Sequence, residues 1–208
     1  MKSKLLAIFL CIAMSPAFSQ IRRTQWIVGG GLNYSSRTEE VFGVATIDEK
    51  QFSIPVSAGY FVANNIALGL RLAYGYIKES ISYTSFYFRD YSYSGSSIAG
   101  GPFLRGYLLS NTSPVNFVVE TGYQYGHMES MYQRTGLKAT SQTRKLSVIA
   151  IEAGPVFFLN PNIALECLLG YRNETIIGSK NNANAFYIGA GFQVHLGKGK
   201  IAEPKFKK

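Results

Sequence analysis

Large apolar side chains alternate with small or polar ones along most of this chain. In residues 66–76, IALGLRLAYGY, every even position carries Ile, Leu or Tyr, and every odd position carries Ala, Gly or Arg71. A period of two residues is typical of a β-strand, because successive side chains of a strand point to opposite faces. The stretch therefore predicts a strand with one bulky apolar face and one face that is small or charged.

The same alternation recurs at seven further places and predicts an all-β protein of eight strands. The strands are expected near residues 24–35, 50–61, 66–76, 96–108, 115–126, 145–158, 163–173 and 184–196. Short connections follow every second strand, and the long ones are expected at about 36–49, 77–95, 127–144 and 174–183. Such regularity indicates an antiparallel up-and-down barrel with short turns at one end and longer loops at the other.

Three of the expected strands contain a proline, namely Pro55, Pro102 and Pro155. Proline has no N–H to donate to a neighbouring strand, so it weakens the hydrogen-bond ladder of a closed sheet. We expect a bulge or a strand end at each of these positions.

The smaller face of the strands indicates whether the bulky side chains point into the barrel or out of it. A soluble barrel needs a charged outer surface, whereas a membrane barrel turns its apolar side chains outward to lipid. Here the smaller face is mostly Gly, Ala and Ser, and the chain as a whole has 21 Gly, 14 Tyr and 14 Phe. Small residues suit the narrow interior of an eight-stranded barrel. We therefore predict a transmembrane barrel with its large apolar side chains facing lipid.

Arg71 is consistent with this orientation, because an arginine facing lipid near the midplane would destabilise the barrel by about 2–4 kcal/mol. Turned inward, it needs acidic partners. The same alternation turns three cations and three anions into the interior: Arg71, Arg105, Arg172, Glu120, Glu152 and Glu166. We predict that they form a paired network with a structural role, filling and plugging the lumen. The alternative, an ion path, is disfavoured because eight strands leave no continuous water channel.

The two ends of the chain differ from the strands between them. Lys2 and Lys4 precede an apolar run at 5–14 and small residues before Gln20, a pattern that predicts a cleaved secretory signal over residues 1–19. The barrel domain is expected over 20–197 and a basic, solvated tail over 198–208, so the formal charge of +9 does not call for a nucleic-acid partner. No later apolar run reaches the roughly 20 residues of a membrane-spanning helix.

The sequence contains few groups suited to catalysis or cofactor binding. His127, Glu129 and Ser130 are the one cluster that resembles a catalytic set, but they are expected in a polar loop without the companions of a nucleophile or zinc site. We expect no cofactor, no metal and no enzymatic activity, with a lipid-modifying activity as the less favoured alternative.

Residues 81–96, ISYTSFYFRDYSYSGS, keep alternating where the membrane-spanning part should have ended. We predict a projecting hairpin with its turn at Arg89 and Asp90. Mixtures of Tyr and Ser provide rigid contact area together with adaptable hydrogen bonding, as binding loops do. The residues expected to meet a partner are Tyr83, Phe86, Tyr87, Phe88, Tyr91 and Tyr93. The alternative is an extended rim that rests among lipopolysaccharide headgroups.

With these features the chain resembles the small eight-stranded outer-membrane barrels of the OmpX-like and PorT-like family. The resemblance is carried by the signal, by GYFVANNIALGL at 59–70, by GPFLRGY at 101–107 and by the last strand, YIGAGFQVHL at 187–196. It implies a monomeric porin-like barrel of the outer membrane, with short periplasmic turns, longer extracellular loops, and membrane lipid and lipopolysaccharide as its surroundings. The implied roles are adhesion or envelope maintenance through the surface loops, or alternatively a part in envelope secretion machinery with periplasmic partners.

Overall fold

Eight antiparallel strands close into a barrel in a computed structural model that describes residues 23–41, 45–83, 91–109, 113–134, 140–178 and 182–197. Each strand pairs with its neighbours in sequence, and the first pairs with the last. The predicted all-β class and up-and-down topology are confirmed. The strands are β1 Trp26–Val41, β2 Ala45–Ala63, β3 Ile66–Tyr83, β4 Tyr91–Tyr107, β5 Val115–Arg134, β6 Thr140–Phe158, β7 Ile163–Ile176 and β8 Asn182–Leu196. No helix in these ranges is of a length and apolarity to cross a membrane.

The strands are longer than predicted at the end of the barrel opposite the chain termini. The β2–β3 ladder continues to the pair Ala45–Tyr83, and the β5–β6 ladder to Tyr132–Thr140. The prediction of long loops at 36–49, 77–95 and 127–144 is therefore wrong, because most of these residues lie in strands. Beyond the lipid-facing band the outer face no longer needs apolar residues, so the alternation that marks a strand in the sequence fades while the backbone pairing continues.

Large apolar side chains cover the outer surface of the barrel, as predicted. Leu70 is 68% exposed, whereas the next side chain, Arg71, is 8% exposed and points into the lumen. Phe103 and Tyr107 of β4 also turn inward with Arg105. The alternation of this strand therefore places two aromatic rings inside the barrel.

Aromatic pairs lie on the outer surface at both ends of the apolar band. Trp26 contacts Tyr60 near the short turns, with ring centroids 5.2 Å apart. Phe52 contacts Tyr76 toward the other end, with centroids 5.5 Å apart. Aromatic girdles at two levels are typical of the interfaces between a membrane barrel and water.

The three strand prolines interrupt the hydrogen-bond ladders without shifting the register of the strands. Each of the ladders β1–β2, β4–β5 and β6–β7 omits two residue pairs, at Pro55, Pro102 and Pro155 respectively, and resumes in the same register. Each proline stays paired with its other neighbouring strand. The expectation of bulges or strand ends is wrong, since a residue in an antiparallel ladder directs its N–H and C=O to one neighbour, so only that ladder is lost.

The orientation predicts how lysine substitutions on the outer surface will affect stability. Leu70→Lys, in the apolar band of β3, is expected to lower the free energy of unfolding from phospholipid vesicles by about 2–4 kcal/mol. Urea titrations followed by the fluorescence of Trp26, the single tryptophan, measure the change. Ser92→Lys is the control, because this exposed residue of β4 lies on the same surface beyond the band. Equal effects of the two substitutions would contradict the orientation.

Candidate functional site in the barrel lumen

The lumen has three levels along the barrel axis, each lined by different inward-facing side chains. The layer nearest the chain termini, called here the aromatic layer, consists of Phe61, Tyr107, Phe158 and His195. Above it lies the charge network, which consists of Arg71, Arg105, Glu120, Glu152 and Glu166. The far end opens into a cavity of about 820 Å³, called here the vestibule, which is lined by residues of the strand extensions.

The charge network alternates in sign across the lumen. Arg105 bridges two carboxylates, with its Nε 2.5 Å from Glu120 Oε2 and its Nη1 3.0 Å from Glu166 Oε2. Arg71 also bridges two, since its Nη2 is paired with Glu120 and its Nη1 lies 3.0 Å from Glu152 Oε1. The order is thus Glu166, Arg105, Glu120, Arg71, Glu152, and four of the five side chains are buried, while Glu166 is 10% exposed. Glu120 at the centre is 1% exposed and contacts both arginines.

Neutral donors complete the hydrogen bonds of the two outer carboxylates. Tyr187 Oη donates to Glu152, and Gln193 Nε2 donates to Glu166. Gln193 Oε1 in turn accepts a hydrogen bond from Tyr107 Oη at 2.5 Å. The network has three carboxylates for two guanidinium groups, so these neutral donors stabilise the excess negative charge.

Arg172 does not join the five residues through an ion pair. Its Nε lies 3.0 Å from Glu174 Oε1, and its Nη2 donates to Gln51 and, at 3.0 Å, to Ser35 Oγ. The prediction that Arg172 pairs with the glutamates of the network is therefore wrong, because Glu174 on the same face of β7 is nearer. The guanidinium instead lies 5.2 Å from the centre of the Tyr187 ring, so Tyr187 connects it with Glu152.

The alternation in the sequence did not predict the aromatic layer, because three of its rings lie on a face that otherwise carries mostly small residues. The His195 ring stacks on Phe61 with centroids 5.6 Å apart and contacts Phe158 at 5.5 Å. Phe61 also contacts Tyr107 at 5.8 Å. The sequence nevertheless contains a signal for this layer. An aromatic residue of the inner face stands at the strand end beside each short turn, where its ring can fill the mouth of the barrel.

The candidate catalytic cluster is divided between the two sides of β5. His127 and Glu129 are exposed on the outer surface, whereas Ser130 is 1% exposed and points into the lumen. Ser130 therefore cannot act together with the other two. Among the described residues, no three His, Cys, Asp or Glu side chains lie close enough together to hold a metal ion.

The predicted binding hairpin is partly described. The β3–β4 ladder reaches the pair Ile81–Tyr91, while Phe86, Tyr87, Phe88 and the expected turn at 89–90 lie outside the described residues. Tyr83 ends β3 opposite Ala45. Tyr91 and Tyr93 line the vestibule, and their contact with a partner stays a prediction. Each strand of the extension has an inner face, and the sequence did not show that these rings lie on it.

The comparisons with known proteins agree with this architecture. The family model "Outer membrane protein beta-barrel domain" matches residues 5–199 of the chain. No curated protein matches. Among solved structures, the transport unit of the autotransporter AIDA-I from Escherichia coli is similar with a TM-score of 0.51 and 10% identity, over 91% of this chain and 97% of that one.

Two smaller barrels are also similar. OprG from Pseudomonas aeruginosa has a TM-score of 0.49 at 13% identity, over 84% of this chain and 97% of its own. Ail from Yersinia pestis has a TM-score of 0.42 at 17% identity, over 82% of this chain and 99% of its own. Because the family model spans nearly the whole chain, the protein belongs to the outer membrane protein β-barrel domain family, and its place is the outer membrane.

Proposed function

We propose that this protein is a non-conducting barrel whose lumen is plugged by the charge network and the aromatic layer, and which meets partners outside the cell through its vestibule and rim. The observation that carries the proposal is the chain of alternating charges from Glu166 to Glu152, which crosses the lumen from wall to wall. The protein then anchors a binding surface in the outer membrane, in adhesion or envelope maintenance.

The space left around the network supports the plug. Two cavities that touch Arg71 and Glu152 measure about 20 and 50 Å³. A cavity needs a volume of at least about 10–15 Å³ to hold a single water molecule, so these two cavities have room for one or a few waters. The aromatic layer lies between them and the end of the barrel that carries the termini. Ions crossing the lumen would have to displace paired charges as well as packed rings.

The wide end of the barrel supports a role at the cell surface. The vestibule of about 820 Å³ lies at the end opposite the termini and the short turns. Outer-membrane barrels have their short turns in the periplasm, so this end is expected to face outward. Small-molecule sites usually measure about 300–1,000 Å³. The barrel thus combines a closed membrane segment with an open cup, which suits binding and presentation better than transport.

The outer surface of the rim supports contact with lipopolysaccharide. Lys50 and Lys78 are exposed and directly opposite one another on β2 and β3, next to the aromatic pair Phe52–Tyr76. Like charges at such a pair repel unless an anion lies between them. A phosphate of a lipid headgroup, above acyl chains that meet the aromatic rings, fits this arrangement.

If the charge network plugs the lumen, substitutions of its members should have non-additive effects on the free energy of unfolding. Arg105→Met and Glu120→Leu are each expected to lower the free energy of unfolding by about 3–5 kcal/mol, because each leaves a buried charge without its partner. The double variant is expected to lose less than the sum, by about 1–3 kcal/mol. Urea titrations in vesicles give the four values. Thr38→Ala and Asp48→Ala, at an exposed hydrogen-bonded pair, are the control and should be coupled far more weakly, because water replaces a hydrogen bond lost at the surface. Additivity within the network would contradict the pairing.

The plug also predicts the electrical behaviour of the barrel. The wild-type protein in a planar lipid bilayer is expected to give no steady ion current. Removing both layers, with Arg71→Ala and Glu120→Ala together with Phe61→Ala and Phe158→Ala, is expected to give a measurable conductance. Glu79→Gln in the wide vestibule is the control and should stay closed. A steady current through the wild-type barrel is the result that refutes the plug.

The rim predicts a charge-dependent interaction with lipid. Lys50→Gln with Lys78→Gln is expected to weaken binding of purified lipopolysaccharide to the folded barrel by about tenfold, since two charge-assisted contacts are lost. Co-sedimentation with labelled lipopolysaccharide measures it. Arg144→Gln removes a cation from the inner face of β6 and is the control. If the lysine variant loses no more lipopolysaccharide binding than the Arg144→Gln control, the two lysines do not bind lipopolysaccharide.

A further inference from the structure

Five consecutive cross-strand partners form a row across the inner wall of the vestibule. Arg37 on β1 faces Glu49 on β2, Glu49 faces Glu79 on β3, Glu79 faces Tyr93 on β4, and Tyr93 faces Tyr132 on β5. All five side chains line the cavity of about 820 Å³. The wall therefore carries two carboxylates next to two tyrosine rings at the same level.

The two carboxylates of this row repel one another. Glu49 and Glu79 are direct partners in the β2–β3 ladder, an arrangement of like charges that destabilises a sheet. Within the described ranges, neither carboxylate has a hydrogen bond or an ion pair. Burial raises the pKa of Glu79, and the charge of Glu49 raises it further. A cation between the two would relieve the repulsion.

The neighbouring tyrosines form an angled aromatic wall. The rings of Tyr93 and Tyr132 have centroids 5.0 Å apart and an interplanar angle of 53°, and Tyr91 lies 6.1 Å from Tyr132. The hydroxyl groups of Tyr93 and Ser130 are hydrogen-bonded at 3.1 Å, which holds the Tyr93 ring in place. Aromatic faces attract cations, and several faces at an angle enclose a substituted ammonium group.

The surface beside the row is apolar. Tyr93 packs against a cluster that contains the buried Met128 and Leu146 and the partly buried Ile77 and Ile176. All four of these side chains also line the vestibule. A ligand that reaches the carboxylates and the rings would therefore place hydrocarbon on these side chains.

We propose that the vestibule binds an organic cation, a substituted ammonium group held by Glu49 and Glu79 and by the ring faces of Tyr93 and Tyr132, with its apolar substituents on Ile77 and Met128. The inference deepens the proposed function and rests on it for access from outside the cell. It names the chemical class of the partner that the vestibule recognises.

Other occupants fit the same wall less well. An anion would face the carboxylates of Glu49 and Glu79. Of the arginines on the inner face, Arg172 is paired with Glu174 and Arg144 is hydrogen-bonded to Gln142. A divalent metal prefers several oxygen ligands, whereas the described residues bring no group of three metal-binding side chains together and much of the wall is apolar. Arg37 at the end of the row places the cation nearer Glu79 and the tyrosines than Glu49, because guanidinium and ammonium groups repel.

The test compares a cation with its neutral isostere. The full chain is folded in octyl glucoside, because phosphocholine detergents and lipids carry a competing ammonium group. Choline and 3,3-dimethyl-1-butanol, which have nearly the same shape, are titrated at constant ionic strength, and binding is followed by saturation-transfer NMR of their methyl groups. Choline is expected to bind about tenfold more tightly than the alcohol. Equal affinities overturn the proposal.

Matched variants locate the site. Glu79→Gln and Tyr132→Leu are each expected to weaken choline binding by about five- to tenfold. Glu129→Gln makes the same change of charge on the outer surface of β5 and is expected to leave binding unchanged. A different migration of boiled and unboiled samples on gels shows that each variant is folded. Unchanged binding in both Glu79→Gln and Tyr132→Leu, or an equal loss in Glu129→Gln, overturns the site.

Two further outcomes separate this inference from the proposed function. If the wild-type barrel binds no choline but stays closed in bilayer recordings, the cation site is wrong and the plugged barrel stands. If calcium binds and Glu79→Gln abolishes that binding while choline has no effect, the vestibule takes a metal ion and the organic-cation proposal is overturned.

Discussion

Backbone N–H groups without partners and isolated charges are both strongly unfavourable in hydrocarbon. The closed ladder of eight strands satisfies the backbone by pairing each strand with two neighbours. The same closure divides every strand into an outer and an inner face, so a polar side chain can leave the lipid by a shift of one position in the sequence. Arg71, between Leu70 and Leu72, avoids lipid in this way, and its burial inside the barrel requires the glutamates that surround it.

The interior shows how a narrow lumen accommodates charges. Glu120 lies between two arginines, and each arginine reaches a second glutamate nearer the wall. Such a chain leaves none of its charges alone, and Tyr187 and Gln193 complete the hydrogen bonds at its ends. Buried ion pairs add little net stability compared with apolar packing. In this barrel they hold one another in a single arrangement, and plugging the lumen is the role that we propose for them.

Beyond the membrane the same strands serve a different purpose. The outer face becomes polar, with Lys50 and Lys78 at the rim, while the inner face retains tyrosines and a small apolar cluster. The strand extensions thus form a rigid cup with aromatic and acidic groups at fixed positions. Groups held by paired strands lose less conformational entropy when a ligand binds than the same groups in loops would, which supports the proposal that the vestibule binds a small ligand.

The order of apolar and small residues was enough to determine the strand number, the topology and the inward orientation of the six charged residues, because successive side chains of a strand point alternately to lipid and to the lumen. Alternation does not specify which charges meet. That depends on the stagger of neighbouring strands, which brings Arg105 to Glu120 and Glu166 and leaves Arg172 with Glu174. The tertiary structure also decided the length of the strands above the membrane, because water tolerates polar residues on both faces of a strand and the alternation is lost there. It likewise decided the row from Arg37 to Tyr132, because only the cross-strand register brings residues so distant in sequence to one level.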